Sequence, residues 1–385
     1  MVNKSKSITA TRLAEAKRLV LKIGSSLFVN SESGELDREW LEELCVEVAE
    51  MHQKGQEVII VSSGAIALGA TQLGVNIARA RLEESQAAAA AGQIQLAHAY
   101  QEILGRHSIN AAQILLTLDD SESRRRYLNA ASTLFMLLKC RAVPIVNEND
   151  TVATQEIRYG DNDRLAARVA QMVSADCLVL LSDVDGLYTS DPRTDSSAEH
   201  IPEITELKRE YWDMAGGPGS NHGSGGMQTK LDAARIAMGA GCRVLIAPGQ
   251  VTRPIEAMRN GGQVTWFLPS STPRAARKQW IAGTLQPKGD LFVDDGAKEA
   301  LVAGKSLLPA GITRIGGEFD RGDAVRVVDH SGSEIGRGLC AYGAADARAI
   351  AGRHSNTIAS VLDYHGRDEM IHRDDLVLTE ADTGT

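Results

Sequence analysis

Short apolar runs alternate with longer amphipathic stretches through the first two thirds of the chain, and few architectures accommodate that alternation. Residues 18–23 read as a strand and 37–54 as a helix, with Asp37 as its N-cap and Gly55 just past its end. The pattern continues with a strand over 57–61, a helix over 85–106, a strand over 111–116, a helix over 123–140 and a strand over 143–146. A helix over 163–174 then leads into a strand over 177–181, and a helix over 229–239 into a strand over 243–247. Repeated βαβ units imply an α/β fold, a mainly parallel sheet sandwiched by helices. Ligands of such sheets sit beyond the carboxyl ends of the strands.

After about Gln286 the pattern changes to short β-like pieces, such as 290–293 and 324–328, separated by Gly316-Gly317 and Ser331-Gly332. The expected division is an α/β domain over 1–270, a linker over 271–287, a small mainly β domain over 288–367 and a loose C-terminal tail over 368–385. A net charge of -9 does not suit a mainly nucleic-acid-binding protein. Apolar runs such as 58–61 and 178–181 fall far short of the roughly 20 residues a membrane span needs. No apolar block of the signal-peptide kind follows the basic first residues. The five cysteines form no C-x-x-C pair and no metal-ligand spacing, which points to reduced thiols and a cytoplasmic protein.

The chemistry-bearing residues lie where strands end. Lys22 runs into Ile23-Gly24-Ser25-Ser26, and the second strand into Ser62-Ser63-Gly64-Ala65. Glycines at such junctions let backbone N–H groups approach a phosphate or carboxylate. A third glycine-rich stretch, from Gly216 to Gly226, precedes Met227-Gln228-Thr229-Lys230 at the head of a helix and suggests a phosphate-binding loop. It is not a Walker A sequence, and no G-x-G-x-x-G follows the first strand. Of two acidic clusters, Asn147-Glu148-Asn149-Asp150 follows the strand over 143–146 and Gly160-Asp161-Asn162-Asp163 opens a helix. Across a cleft from the lysines they could bind a substrate ammonium, hold the lysines in place or recruit Mg²⁺.

Six blocks in order carry a resemblance: 22–26, 61–66, 145–150, 160–163, 181–188 and 224–230. They resemble the amino acid kinase family, in its branch of glutamate 5-kinases with a C-terminal PUA domain. The segment 185–193 is shared across the superfamily, whereas Asn-Glu-Asn-Asp and Gly-Asp-Asn-Asp are more specific. The resemblance implies a kinase domain over 1–270 and a PUA domain over 288–367. It further implies transfer of the γ-phosphoryl of ATP to the side-chain carboxylate of L-glutamate, the first step of proline biosynthesis, with Mg²⁺.

By the same resemblance Lys22 and Lys230 flank the phosphoryl group and Asp163 orients them. Gly24 and Gly64 offer backbone donors to the phosphoryl oxygens. Ser63, Asp150 and Asn162 match glutamate-contacting positions, with Asn147 as an addition. Ser182, Asp183 and the run Ser224, Gly225, Gly226, Met227, Gln228, Thr229 and Lys230 match ATP-binding segments. The expected partners are L-glutamate, ATP, L-proline as feedback inhibitor, further copies of the chain in a dimer or tetramer, and a glutamyl phosphate reductase taking the product. Nine Lys plus Arg against ten Asp plus Glu between Lys288 and Arg353 weigh against strong RNA binding by the small domain.

Overall fold

The computed structural model describes residues 2–30, 33–152, 161–215, 226–283 and 286–379. It divides into two units, Met1–Pro273 and Arg274–Thr385. The first runs α1 (Val2–Glu15), β1 (Arg18–Ile23), α2 (Arg38–Gln53), β2 (Glu57–Ser62), α3 (Ala65–Leu73), α4 (Leu82–Arg106), β3 (Ala111–Leu116), α5 (Leu118–Glu122), α6 (Arg124–Lys139) and β4 (Val143–Glu148). It continues with α7 (Asp161–Met172), β5 (Cys177–Ser182), β6 (Leu187–Tyr188), β7 (His200–Ile201), β8 (Glu203–Ile204), α8 (Arg209–Met214), α9 (Met227–Gly239), β9 (Arg243–Pro248), α10 (Pro254–Arg259) and β10 (Thr265–Phe267). Among the described residues no helix is long and apolar enough to cross a membrane.

Eight strands form one sheet in the order β3-β4-β2-β1-β5-β9-β10-β8. All neighbours are parallel except β9 and β10. The chain builds outward from β1 on one side through β2, and later on the other through β5 and β9. Such a reversal beside a central strand opens a crevice at the carboxyl ends. The period of two within β1 then decides which side chain reaches it. Leu19, Leu21 and Ile23 enter the core layer shared with α2 and α4, whereas Val20 enters the layer of α7 and α9. Lys22 therefore projects on the α7 and α9 side, at the end of the strand.

Local signals explain the helix ends. The Asp37 carboxylate accepts the Trp40 N–H at 3.0 Å and so caps α2. Helix α4 begins at Leu82, ahead of the apolar pattern, because Glu84 reaches back 2.7 Å to the Arg81 N–H. Helix α1 was not anticipated from the sequence; Leu13 and the adjoining Ala16 bury against the sheet, and Thr9 accepts the Trp266 indole N–H at 3.1 Å.

Helices α3 and α4 cross at two glycines. A Cβ on Gly69 would stand 1.8 Å from the Ala88 carbonyl oxygen, and one on Gly92 would stand 1.9 Å from that of Ala65. Only hydrogens fit between these backbones.

The second unit holds α11 (Pro273–Gly283), β11 (Gly289–Val293), α12 (Asp295–Val302), β12 (Ile312–Gly317), β13 (Ala324–Val328), β14 (Glu334–Leu339), α13 (Ala344–Ile350), α14 (Ile358–Leu362) and β15 (Leu376–Leu378). Its sheet has the order β12-β11-β13-β14-β15 around a core that includes Leu291, Val325 and Val327. Two boundary expectations need correction. The stretch expected as a linker, 271–287, is largely helix α11, since Ala276 and Ile281 are buried and Ile281 packs with Ala324 and Leu339. The tail expected over 368–385 carries regular structure among its described residues, 368–379: Met370 and Ile371 are fully buried, and β15 extends the sheet beside β14. Arg277 joins the two segments, donating to Asp375 Oδ1 at 2.5 and 2.9 Å. The misreading came from weighing charge and Pro content above the small apolar groups, Ile281 and 376–378, that bury.

Because backbone cannot yield as a flexible side chain can, Gly69→Ala and Gly92→Ala should each lower the unfolding free energy by about 3 kcal/mol. Gly105→Ala on the same helix, where a Cβ meets nothing, should instead add about 0.5–1 kcal/mol. Urea denaturation of the three variants checks the contrast, and equal effects at Gly92 and Gly105 would refute the close-crossing account.

Candidate active site

The carboxyl ends of β1, β2, β4 and β5 meet the first turns of α7 and α9, and ionic side chains are buried there. Asp163, fully buried on α7, lies between two lysines. Its Oδ1 is 2.6 Å from Lys22 Nζ and its Oδ2 is 3.4 Å from Lys230 Nζ. The Thr229 hydroxyl donates to Oδ2 at 2.9 Å and is also within 2.9 Å of the Gly226 carbonyl, which ties the carboxylate to the start of α9. Both lysines are themselves buried. Burial acts to raise the Asp163 pKa, but the ammoniums of Lys22 and Lys230 outweigh it and hold the carboxyl below its ordinary range. In this trio one carboxylate sits between two ammoniums.

A chain of amides runs from the same place. Asn162 Nδ2 donates to the Ser62 carbonyl at 3.3 Å, to Ser63 Oγ at 2.8 Å and to Asn147 Oδ1 at 3.1 Å. Asn147 in turn donates to Gln93 Oε1 at 2.7 Å and accepts the Glu148 N–H at 2.9 Å. Neighbouring serines part company here: Ser62 Oγ lies 3.1 Å from the buried Tyr100 hydroxyl, and Ser63 faces Asn162. Beyond Asn147 a cavity of about 260 Å³ is lined, among the described residues, by Ala89, Gln93, Gln113, Glu148, Asp150 and Thr151. Asp150 is buried in that wall.

The remaining expected residues fall as follows. Gly64 has φ +97° at the N-cap of α3, and a Cβ there would press on Phe28 and Val29, so glycine is required by the backbone. Gly24 has ordinary extended backbone, but a Cβ would point to within 3.9 Å of Lys22 Nζ. Its bareness keeps the space before the lysine open. Ser182 donates to Asp183 at 2.9 Å after β5, with Asp183 exposed. Gly226, Met227 and Gln228 form the cap and first turn of α9. Ser224 and Gly225 lie outside the described residues. Gln93 was not anticipated from the sequence; it stands in an Ala-rich helix, where a glutamine reads as an ordinary helix former. Among the described residues no three His, Cys, Asp or Glu side chains cluster as metal ligands.

A model of the amino acid kinase family matches residues 17–248, a span that holds every residue of this site. The chain belongs to the amino acid kinase family. A PUA-domain model matches residues 289–362, within the second unit. Relatives in the kinase family include the glutamate 5-kinase of Paramagnetospirillum magneticum, 61% identical over 95% of this chain and 99% of the relative. That of Agrobacterium fabrum is 56% identical over 97% of this chain and 96% of its own length, and that of Rhodospirillum rubrum 56% over 93% and 96%.

Asp163→Asn keeps the size of the side chain but leaves two buried ammoniums facing each other. The variant should lose about 3 kcal/mol or more of stability at pH 7. With the folded pKa depressed, the wild-type contribution is complete above the unfolded value near 3.9 and is lost as pH falls through the folded one. The difference in Tm between wild type and variant should thus be widest at neutral pH and shrink on acidification below about pH 4. A pH-independent difference would show that the carboxylate charge is not what holds the cluster.

Proposed function

We propose that this chain transfers the γ-phosphoryl group of MgATP to the side-chain carboxylate of L-glutamate, forming L-glutamyl 5-phosphate for proline biosynthesis in the cytoplasm. The observation that carries the reading is the Lys22–Asp163–Lys230 cluster at the carboxyl end of β1, together with the 61% identical glutamate 5-kinase relative. A carboxylate with a pKa near 4.3 is already ionised at neutral pH, so the acceptor needs no general base. The remaining task is to bring two anions together and offset the charge that spreads over the transferring phosphoryl oxygens.

Lys22 and Lys230 do this from opposite sides of Asp163, which holds each ammonium in place before substrate arrives. The two ammoniums are then preorganised and need no rearrangement during transfer. The N–H groups of Gly24 and Gly64 face the phosphoryl oxygens. The start of α9, with Ser224 to Thr229, and the pair Ser182 and Asp183 receive the nucleotide. Asp163 is occupied by two lysines and a threonine, so the Mg²⁺ travels with the nucleotide phosphates as part of the substrate. Glutamate occupies the amide-lined side, with Asp150 taking its ammonium and Ser63, Asn147 and Asn162 ordering the rest. L-proline, with a carboxylate and a charged nitrogen of its own, competes there.

Purified protein incubated with MgATP, hydroxylamine and L-glutamate should yield a hydroxamate, and L-aspartate should yield far less. Comparable yield from aspartate would overturn the substrate assignment. Lys230→Ala should reduce kcat by about 100-fold or more while changing the KM for glutamate little, since its charge acts on the transition state. A near-normal kcat would remove Lys230 from that role.

A further inference from the structure

The amide chain has a direction set by two backbone groups. The Ser62 carbonyl can only accept, so the atom of Asn162 facing it is Nδ2; the Glu148 N–H can only donate, so the atom of Asn147 facing it is Oδ1. Asn147 Nδ2 is thereby turned to Gln93, whose Oε1 must accept it. The amide nitrogen of Gln93 is left over. Gln93 is 8% exposed, and among the described residues its buried Nε2 has no hydrogen-bond partner. A buried donor without an acceptor is unfavourable in the protein alone, and it lies on a residue lining the 260 Å³ cavity beside Asp150.

The position of Gln93 is built into the fold. The residue before it, Gly92, is pressed against the Ala65 backbone at the helix crossing, so α4 cannot slide to withdraw the side chain. Counted along the hydrogen bonds, Gln93 is the end of the chain remote from the lysines: Lys22 and Lys230 hold Asp163, next to Asn162, which contacts Asn147, which contacts Gln93. The amide chain thus links the lysine cluster to the cavity that Gln93 lines.

We propose that Gln93 is a substrate-recognition residue, its Nε2–H group donating to the α-carboxylate of the acceptor amino acid. This deepens the glutamate-kinase reading and rests on it. Asp150 and Gln93 then read the two α-substituents, one by charge and one by a neutral donor of fixed orientation.

The test is Gln93→Glu, which keeps an oxygen for Asn147 Nδ2 and replaces the donor with a second carboxylate oxygen. ADP release is measured first for the wild type with and without L-glutamate. No glutamate dependence there would overturn the functional reading itself, and this inference with it. With that dependence present, Gln93→Glu should raise the KM for glutamate about tenfold or more, with kcat and the KM for ATP within about threefold of wild type. An unchanged glutamate KM overturns the proposal. So does a parallel loss in kcat and ATP KM, whereas a Gln93 that merely props up Asn147 would leave the glutamate KM unchanged in Gln93→Glu, which keeps that acceptor. If the melting curve shows that Gln93→Glu does not fold, Gln93→Met is assayed with L-glutamate and with 4-aminobutyrate, which lacks the α-carboxylate: a loss confined to glutamate supports the proposal, and an equal loss for both overturns it.

Discussion

A carboxylate held between two ammoniums inside a protein is the constraint on which the site depends. None of the three charges would be tolerable there alone, because desolvation penalises each. Together they are stable only in one arrangement, which requires the end of β1, the first turn of α7 and the first turn of α9 to meet at one place. The electrostatics of the site and the packing of the sheet are thus one problem. Any shift of α7 or α9 that relieved the hydrophobic layer at the expense of this contact would expose a buried charge without a partner.

The polar chain through Asn162, Asn147 and Gln93 extends the same logic with neutral groups. Adjacent residues of α7 serve two neighbourhoods: Asp163 closes the charge cluster and Asn162 begins the amide chain. The glycine crossing of α3 and α4 places the far end of that chain. Hydrophobic packing supplies the scaffold, but the direction of each hydrogen bond comes from two fixed backbone groups, which leaves no freedom to flip an amide.

Much of the framework was legible in the chain. Strands with short apolar runs, such as 18–23 around Leu19-Val20-Leu21 and 177–181, were recognisable because a strand buried on both faces carries little alternation, and Asp37 and Gly55 marked the limits of α2. Lys22 and Lys230 stood out because each sits at the end or start of a regular element, where ligands of parallel sheets bind, and Asp163 was singled out from its acidic cluster by the family resemblance. Less was legible where burial outweighed composition. Helix α1 went unseen, α11 was read as a linker, and the charged surroundings of Leu376–Leu378 concealed a strand.

The sequence by itself determined the layered α/β architecture and the chemical types at its strand ends, because periodicity and residue type are local properties of the chain. Only the tertiary structure decided which of these residues share a hydrogen bond. That Asp163 satisfies both lysines, that Ser62 turns to Tyr100 and Ser63 to Asn162, and that Gln93 ends the amide chain all depend on elements far apart in sequence. Glutamine is chemically ordinary on a helix surface. It acquires a direction and an unmet donor only when the end of β4 and the crossing at Gly69 and Gly92 enclose it.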